Sequence, residues 1–389
     1  MRRFLPYGRQ SISAGDREAV LRVLDSDYLT TGPEIAAFET EFAAAVGAPH
    51  AVACNSATAA LHLALDGLGV RPGDVCIVPA ITFLATANAA RYCGADVRFA
   101  DVDPETGLLT PATLAAALDQ APKPAAVLPV HLAGLSCDMA AISALAREAG
   151  AVVVEDSCHA LASLDTAGHR VGACAFSDAA TFSFHPVKTL ACGEGGMITT
   201  GDRTLAARMT DRRSHAMVRD PDRLQRRAGR DEPWWYEMQA LGWNYRMPDI
   251  NAALGRSQLA RLDWFAARRR ALAARYGEAL SVLGPLVRPP AQPDGLNPCR
   301  HLYNVRIDFE AAGVSRAAVM QRLKAEGVGS QVHYIPVCRQ PYYRALYGEQ
   351  RLEGAERYYA RTLSLPLFAD MQDDDPDYVA AALGRALGL

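Results

Sequence analysis

The sequence predicts an α/β protein, with a mostly parallel central sheet in a large domain and a smaller α+β domain at the C-terminal end. Three observations predict this fold class. Short apolar runs alternate with helical patterns from His50 to Thr200, which is typical of βαβ units. One of these runs ends in the carboxylate pair Glu155-Asp156. From Pro248 onward the alternation gives way to a long helical pattern.

Hydrophobic periodicity and local residue preferences place the elements of the large domain. The helical patterns are Arg17–Leu24, Pro33–Val46, Ala57–Leu68, Phe83–Cys93, Pro111–Gln120 and Met139–Glu148. The strand-like runs are His50–Cys54, Asp74–Val78, Asp96–Phe99, Ala125–Val130, Ala151–Val154, Thr181–Phe184 and Gly196–Thr200.

The C-terminal part of the chain differs in texture and is predicted to form the second domain. A long helix, roughly Asp249 to Leu280, is followed by a proline-rich connection at 284–293 and a mixed segment. We expect a large domain at 1–255 and a small one at 256–389. The irregular stretch 217–236 is charged and proline-containing before it becomes aromatic. It is predicted to be a surface excursion that ends on buried tryptophans.

Composition excludes several classes of protein. The 389 residues suffice for a large core and two domains. A net charge of -3 gives no basic footprint for nucleic acid. No apolar run reaches the ~18 residues of a membrane span, and the basic start Met1-Arg2-Arg3 precedes no apolar segment of a secretory signal.

The cysteines and histidines indicate neither a metal site nor a disulfide framework. The nine cysteines are odd in number, scattered singly and contain no C-x-x-C pair. The histidines show no H-x-x-x-H or H-x-H spacing. Free thiols of this kind suit a reducing compartment, so we expect a cytoplasmic protein.

Lys188 stands in an unusual place for a lysine. The stretch FSFHPVKTLACGEGG (182–196) leads from an apolar strand into Lys188 and then into a glycine-rich run. Asp156 ends an earlier strand, and ligands of open α/β sheets bind outside the carboxyl ends of the strands. Residues 55–60, NSATAA, open a helix after a strand, where small residues and free amides favour phosphate. Ser183 lies where it can join the same phosphate.

These residues together are the set that pyridoxal phosphate (PLP) requires. A lysine amine forms a Schiff base with the cofactor, a carboxylate keeps the pyridine nitrogen protonated, and a helix start holds the phosphate. A desolvated site would also lower the pKa of the lysine. The residues taken singly leave ordinary alternatives open: Asp156 as a turn cap, 55–60 as a plain helix start and Lys188 as a solvated loop residue.

The chain resembles the sugar-nucleotide aminotransferases of PLP fold type I, the DegT-type family, along nearly its whole length. The motifs that carry this resemblance are PYGRQSI (6–12), YLTTGP (28–33), NSATAALH (55–62), ITFLATANA (81–89), PVHLAG (129–134), VVEDSCHAL (153–161), TFSFHPVKTLACGEGGMI (181–198), RSHAM (213–217), GWNYRMPDINAALG (242–255), VHYIPVCRQPYY (332–343) and LSLPLF (363–368). FSFHPVK followed by GEGG is the most specific of them.

The resemblance implies roles for individual residues around the cofactor. Lys188 forms the Schiff base and moves protons, and Asp156 pairs with the pyridinium nitrogen. The resemblance implies His159 at the phenolic oxygen of the cofactor and Phe83 on the face of its ring, and it implies that Ala57, Thr58 and Ser183 bind its phosphate. It also implies a homodimer with shared active sites, in which Asn244 reaches the cofactor phosphate of the neighbouring subunit. From the residues alone, a structural core residue is the favoured interpretation of both His159 and Phe83, and only the motif match reverses it for His159.

The resemblance also implies a substrate. Four motifs are most similar to the UDP-4-amino-4,6-dideoxy-N-acetyl-β-L-altrosamine transaminases of pseudaminic acid synthesis: PYGRQSI near the start, EDSCHAL, FSFHPVK, and VHYIPV with QPYY. These enzymes transfer the amino group of L-glutamate to a UDP-linked 4-keto-6-deoxy-2-acetamido hexose, with ping-pong kinetics. Candidate contacts to the sugar or nucleotide are Tyr7, Thr30, His185, Tyr303, His333 and Tyr334. A packed strand of the small domain is the alternative for His333 and Tyr334.

Two other functions stay open from the sequence. One is a 4-aminotransferase for a different nucleotide keto sugar, such as a GDP-perosamine precursor or the UDP-4-keto-pentose of lipid A modification. The other is a PLP-binding regulator without turnover. Relatives that replace the lysine with histidine are dehydratases, so the presence of Lys188 favours transamination.

Overall fold

The computed structural model describes residues 3–121, 123–226, 232–292, 296 and 298–389. Its helices are α1 (Ala14–Leu24), α2 (Pro33–Val46), α3 (Ala57–Gly67), α4 (Leu84–Tyr92), α5 (Pro111–Leu118), α6 (Met139–Glu148), α7 (Arg203–Arg212), α8 (Asp249–Leu259), α9 (Leu262–Leu280), α10 (Arg316–Ala325), α11 (Pro341–Tyr347), α12 (Glu353–Arg361) and α13 (Asp375–Leu387). Its strands are β1 (His50–Cys54), β2 (Val75–Pro79), β3 (Asp96–Ala100), β4 (Ala126–Val127), β5 (Val152–Asp156), β6 (Ala179–Ser183), β7 (Gly196–Thr200), β8 (Met217–Val218), β9 (Glu237–Met238), β10 (Val287–Arg288), β11 (Tyr303–Ile307) and β12 (Thr362–Leu365).

The central sheet has the strand order β1-β7-β6-β5-β4-β2-β3. β7 runs antiparallel to both of its neighbours, β1 and β6, whereas the pairs from β6 to β3 are parallel. Six strands of this sheet therefore point the same way, and their carboxyl ends share one edge. The predicted α/β fold with a mostly parallel sheet is confirmed.

Helices cover both faces of this sheet, which is why its strands read as nearly continuous apolar runs. β7 is buried at every position, and α3 is buried over most of its circumference. α3 contacts β7, β6 and β5, and it begins where β1 ends. The sheet thereby fixes the first turn of α3 at its carboxyl edge.

A second apolar cluster forms around the three-stranded antiparallel sheet β10-β11-β12. Residues of α9, α10 and α13 fill this cluster, together with Leu5 from the N-terminal segment. Other residues from the C-terminal part, among them Val337 and Tyr358, belong to the cluster of the large sheet instead. The boundary at residue 255 stays a prediction.

The predicted helix 249–280 is wrong as a single element. It divides into α8 and α9 at Ala260 and Arg261. α8 packs against α1 and α2, whereas α9 packs against α13. Arg261 leaves helical geometry at this point, with φ -103° and ψ 8°, and its guanidinium lies 3.1 Å from the Asp16 carboxylate. The two halves follow different partners, which periodicity within one segment does not reveal.

Three smaller expectations also need correction. α1 begins at Ala14, three residues before the predicted start, because Ser13 forms a capping box with Asp16. β4 ends at Val127, before Pro129, which lacks an N–H for the ladder. Neither tryptophan at the end of the 217–236 excursion is fully buried in this chain, since Trp234 is 71% exposed and Trp235 is half-buried.

No helix among the described ranges is long and apolar enough to cross a membrane.

Candidate active site

A cavity of about 610 Å³ opens at the carboxyl edge of the central sheet. The chain segments that follow β1, β2, β5 and β6 form its floor, and the segment 331–335 forms a wall. Most of the residues predicted for the site line this cavity: Tyr7, Ala57, Thr58, Phe83, Asp156, His159, Ser183, His185, Lys188, His333 and Tyr334. They come from widely separated parts of the chain, and the parallel strands bring them together.

Lys188 lies in a turn that follows β6. Its backbone N–H donates to the carbonyl of His185 and closes this turn. Burial lowers the pKa of its amine, against the opposing effects of Cys158 and Asp156. No ion pair within 4.0 Å joins this amine to a carboxylate in the described part of the chain. A lysine kept in this state loses its proton more readily than a surface lysine, as a nucleophilic amine requires.

The carboxylate of Asp156 is held by a donor on each oxygen. Thr86 donates its hydroxyl to Oδ2 at 2.7 Å, and the Cys158 N–H donates to Oδ1 at 3.2 Å. Thr82 lies 2.7 Å from the Thr86 hydroxyl and supports it. Asp156 is 6% exposed, so its orientation is set before any ligand binds. A buried, oriented carboxylate suits pairing with a cationic ring nitrogen.

The first turn of α3 presents backbone amides to the cavity. Ser56 caps the helix by accepting from the Ala59 N–H at 3.2 Å. Ala57 and Thr58 line the cavity, and their amides precede the first bond of the helix, from the Ala60 N–H to the Ser56 carbonyl. A Cβ on Gly196 would collide with the Ser56 carbonyl and stand 2.8 Å from the Ala57 nitrogen. Only glycine therefore lets β7 approach this turn, which is a ready site for a phosphate.

Three buried histidines, His159, His301 and His333, also line the cavity. Burial lowers the pKa of each, and the charge of Lys188 lowers it further, for His333 to about 3. These imidazoles are consequently neutral near pH 7. They supply hydrogen-bonding groups beside the lysine without adding positive charge.

Tyr303 is a correction to the predicted substrate contacts. Its side chain is 2% exposed and stacks on Tyr276, with ring centroids 4.5 Å apart, inside the second apolar cluster. A ligand in the cavity has no access to it. His301 lines the cavity in its place, because the chain bends there before β11 begins.

Thr30 and Asn244 also lie outside the cavity lining, and both are exposed. Thr30 pairs with Pro248 in an isolated bridge, and Asn244 pairs with Ser214. The expectation for Asn244 concerns a neighbouring subunit, so its role stays a prediction. The same holds for Thr30 as a sugar contact.

Several cavity residues escaped the sequence reasoning. They are Thr82, Cys158, Glu194, His301, Gln331 and Gln340, with Thr86 behind them. A signal existed for Thr82 and Thr86, since hydroxyl residues four apart at a helix start lie on one face. No such signal marks His301, because only the fold brings its ring to 4.5 Å from that of His159.

Known proteins resemble this chain over nearly its whole length. The sequence profile of the DegT/DnrJ/EryC1/StrS aminotransferase family matches residues 10–384. The spore coat polysaccharide biosynthesis protein SpsC of Bacillus subtilis (strain 168) is 42% identical over 384 residues, which are 98% of this chain and 96% of SpsC.

Solved structures are similar in fold as well. Helicobacter pylori PseC, an aminotransferase involved in the biosynthesis of pseudoaminic acid, superposes with a TM-score of 0.91 at 27% identity, over 99% of this chain and 100% of PseC. A sugar aminotransferase of Streptococcus pneumoniae in its PLP form gives a TM-score of 0.88 at 27% identity, over 99% of both chains.

Proposed function

This chain belongs to the DegT/DnrJ/EryC1/StrS aminotransferase family, and from that premise we propose that it aminates a UDP-linked 4-keto-6-deoxy-2-acetamido hexose with L-glutamate as the amino donor. The coarser statement is established by the family: the protein is a PLP-dependent sugar aminotransferase. The predictions of an enzyme and of PLP are thereby confirmed. The nucleotide, the sugar and the donor are the proposal.

The residues of the cavity fit PLP. An amine of lowered pKa, an oriented carboxylate and a helix start with unbonded amides all face one space. Lys188 would hold the cofactor covalently, Asp156 would hold its ring nitrogen, and the first turn of α3 would hold its phosphate. When bound, PLP supplies an electron sink that stabilises negative charge at the carbon losing its proton.

The residues of this chain perform the remaining tasks. The Lys188 amine would accept and return a proton at Nζ beside the reacting carbon of the substrate. Asp156, oriented by one donor on each carboxylate oxygen, would accept a hydrogen bond from the ring nitrogen and favour its protonated form. The neutral histidines leave the lysine as the principal base. A site of this kind serves the amino donor and the keto sugar in turn.

The observation that carries the proposed substrate is the likeness to two carbohydrate-pathway proteins. PseC, an aminotransferase involved in the biosynthesis of pseudoaminic acid, has the same fold over the full chain. SpsC, at 42% identity, belongs to spore coat polysaccharide biosynthesis. Amination of a nucleotide-linked 4-keto sugar is compatible with both. The alternative within this class is another nucleotide, as in a GDP-perosamine precursor or a UDP-4-keto-pentose.

The first experiment is an absorbance spectrum of the purified holoenzyme before and after L-glutamate. We expect the visible band of the lysine-bound cofactor to give way to a near-ultraviolet band. Borohydride reduction and peptide mapping then locate the cofactor, because Lys123, Lys188 and Lys324 are the lysines of the chain. We expect the reduced cofactor to be attached to Lys188. The attachment should be lost in Lys188→Ala and retained in Lys324→Ala. Label on another lysine would contradict the assignment.

A panel of keto sugars then tests the substrate. The converted holoenzyme is mixed with the UDP-linked acetamido hexosulose, a GDP-linked 4-keto-6-deoxy hexose and a UDP-4-keto-pentose. Return of the visible band with the first sugar, at a rate at least about tenfold above the others, supports the proposal. Return only with another sugar would replace the proposed substrate with that sugar and leave the aminotransferase assignment intact.

A further inference from the structure

The structure fixes the position of the proton on the imidazole of His159. The backbone N–H of Ala133 points at Nδ1 of His159 at 3.3 Å. Ala133 is held in the left-handed region, with φ 58°, and its carbonyl accepts from the His301 N–H at 3.1 Å. An N–H group donates and never accepts, so Nδ1 must present its lone pair. The proton of the neutral ring is consequently on Nε2.

Charge supports the same state of the ring. An imidazolium would place a hydrogen on Nδ1 against the hydrogen of the Ala133 amide. Burial, the charge of Lys188 and His333 hold the pKa of His159 well below its usual range. His159 is thus the neutral Nε2–H tautomer.

This tautomer decides the role of the Tyr334 hydroxyl. Nε2 of His159 lies 3.3 Å from Oη of Tyr334. Because Nε2 carries the proton, it donates and Oη accepts. No other hydrogen bond of this hydroxyl occurs within the described ranges, and Tyr334 lines the cavity. Its own hydrogen therefore has no acceptor in the protein.

We propose that Tyr334 is a fixed hydrogen-bond donor to an oxygen atom of the ligand held beside Lys188, oriented by the chain Ala133–His159–Tyr334. The oxygen belongs either to the cofactor, as its ionised phenolic oxygen, or to the substrate, as the carbonyl oxygen of the keto sugar. Both are acceptors without a competing proton. Tyr334 acts by direct contact, whereas Ala133 and His159 act as positioning residues. His159, which the resemblance implies at the phenolic oxygen, would then act on that oxygen only through Tyr334. Only the second alternative, in which the keto sugar is the acceptor, rests on the proposed function.

Four variants of the holoenzyme test this chain of bonds. Tyr334→Phe removes the donor and keeps the ring. His159→Leu removes the group that orients it. His159→Gln retains both bonds, since an amide oxygen can accept from Ala133 while the amide N–H donates to Tyr334. Tyr276→Phe is the control, because it removes a buried hydroxyl that bonds Pro366 in the second apolar cluster.

The first readout is the pH midpoint of the visible cofactor band. A hydrogen bond donated to the phenolic oxygen favours the form of the lysine-bound cofactor in which the nitrogen of the Schiff base carries no proton. If the acceptor is the cofactor, the midpoint rises by about one unit in Tyr334→Phe and His159→Leu. If the acceptor is the keto sugar, the midpoint stays and kcat/KM for that sugar falls about tenfold in both.

The pattern across the variants decides the outcome. In either case His159→Gln and Tyr276→Phe should resemble the wild type, and the double variant Tyr334→Phe/His159→Leu should be no worse than either single variant. Unchanged midpoint and unchanged kcat/KM in Tyr334→Phe would overturn the proposal. Equal changes in the midpoint or in kcat/KM for His159→Gln and His159→Leu would contradict the assignment of the His159 proton to Nε2. A wild-type enzyme that accepts no keto sugar would refute the proposed function. The pH titration of the visible band would still test whether Tyr334 donates to the phenolic oxygen of the cofactor.

Discussion

Thr86 donates its hydroxyl to Oδ2 of Asp156 over 2.7 Å, from the first turn of α4 to the end of β5. The bond joins two neighbouring layers of the fold at the carboxyl edge of the sheet. It leaves the carboxylate of Asp156 with a donor on each oxygen and a fixed direction into the cavity.

Thr86→Val should therefore weaken the binding of PLP without unfolding the protein. Valine keeps the shape of threonine, but the hydroxyl that orients Asp156 is lost. Hydrogen bonds to charged groups contribute about 1.5–3 kcal/mol, so a fall in affinity of about 10- to 100-fold is expected. Titration of the apoprotein with PLP measures it. Thr199→Val, which removes a buried hydroxyl bonded to Gly172, is the matched control; equal affinities in the two variants would contradict the role of Thr86.

Gly196→Ala should destabilise the protein at the contact between β7 and the first turn of α3, where we propose that the phosphate binds. The added methyl group would collide with the Ser56 carbonyl and crowd the Ala57 amide. Backbone atoms cannot swing away as a flexible side chain can, so we expect a loss of about 2–4 kcal/mol in the free energy of unfolding. Urea denaturation of the apoprotein checks it. Gly201→Ala, just beyond the same strand, adds a methyl group that meets nothing within 4 Å and should be close to wild type.

The capture of PLP by the apoprotein should depend on pH through Lys188. Only the unprotonated amine reacts, and burial lowers its pKa. The capture rate should rise with pH and level off below the value of about 10.4 typical of a free lysine. Asp156→Asn removes a negative charge that opposes this shift, so its midpoint should move to lower pH.

The control for this titration is Asp373→Asn, an exposed carboxylate paired with Arg268 on the surface. It should leave the midpoint where the wild type has it. A midpoint near that of a free lysine, or an upward shift in Asp156→Asn, would show that the amine is not desolvated in this way.

A shared active site predicts complementation between two inactive variants. If Asn244 serves the cavity of a neighbouring subunit, Lys188→Ala and Asn244→Ala each lack one part of every site. After the two proteins exchange subunits, a mixed dimer contains one intact site, and about a quarter of wild-type activity should return. Activity assays before and after exchange measure this recovery. No recovery despite verified mixed dimers would place Asn244 outside the site.

Much of the site follows from reasoning along one segment at a time. Asp156 and the first turn of α3 follow parallel strands, and Lys188 comes a few residues after another. Parallel strands bring their carboxyl ends to one edge, so such residues converge whatever the rest of the fold does. The break between α8 and α9 escaped the same reasoning, because the helical pattern continues through it while the packing partners change.

By itself, the sequence determined the fold class, the family resemblance and the choice of Lys188 as the proposed reactive lysine, since the alternation of strand-like and helical patterns and the spacing of motifs are local properties of the chain. Only the tertiary structure decided that His301 rather than Tyr303 faces the cavity, and that the proton of His159 is on Nε2. The first outcome depends on the packing of Tyr303 against Tyr276, and the second on hydrogen bonds among residues 133, 159 and 334. Such groups meet only when the packed chain brings them together, and no periodicity within a segment encodes which atom of one will face which atom of another.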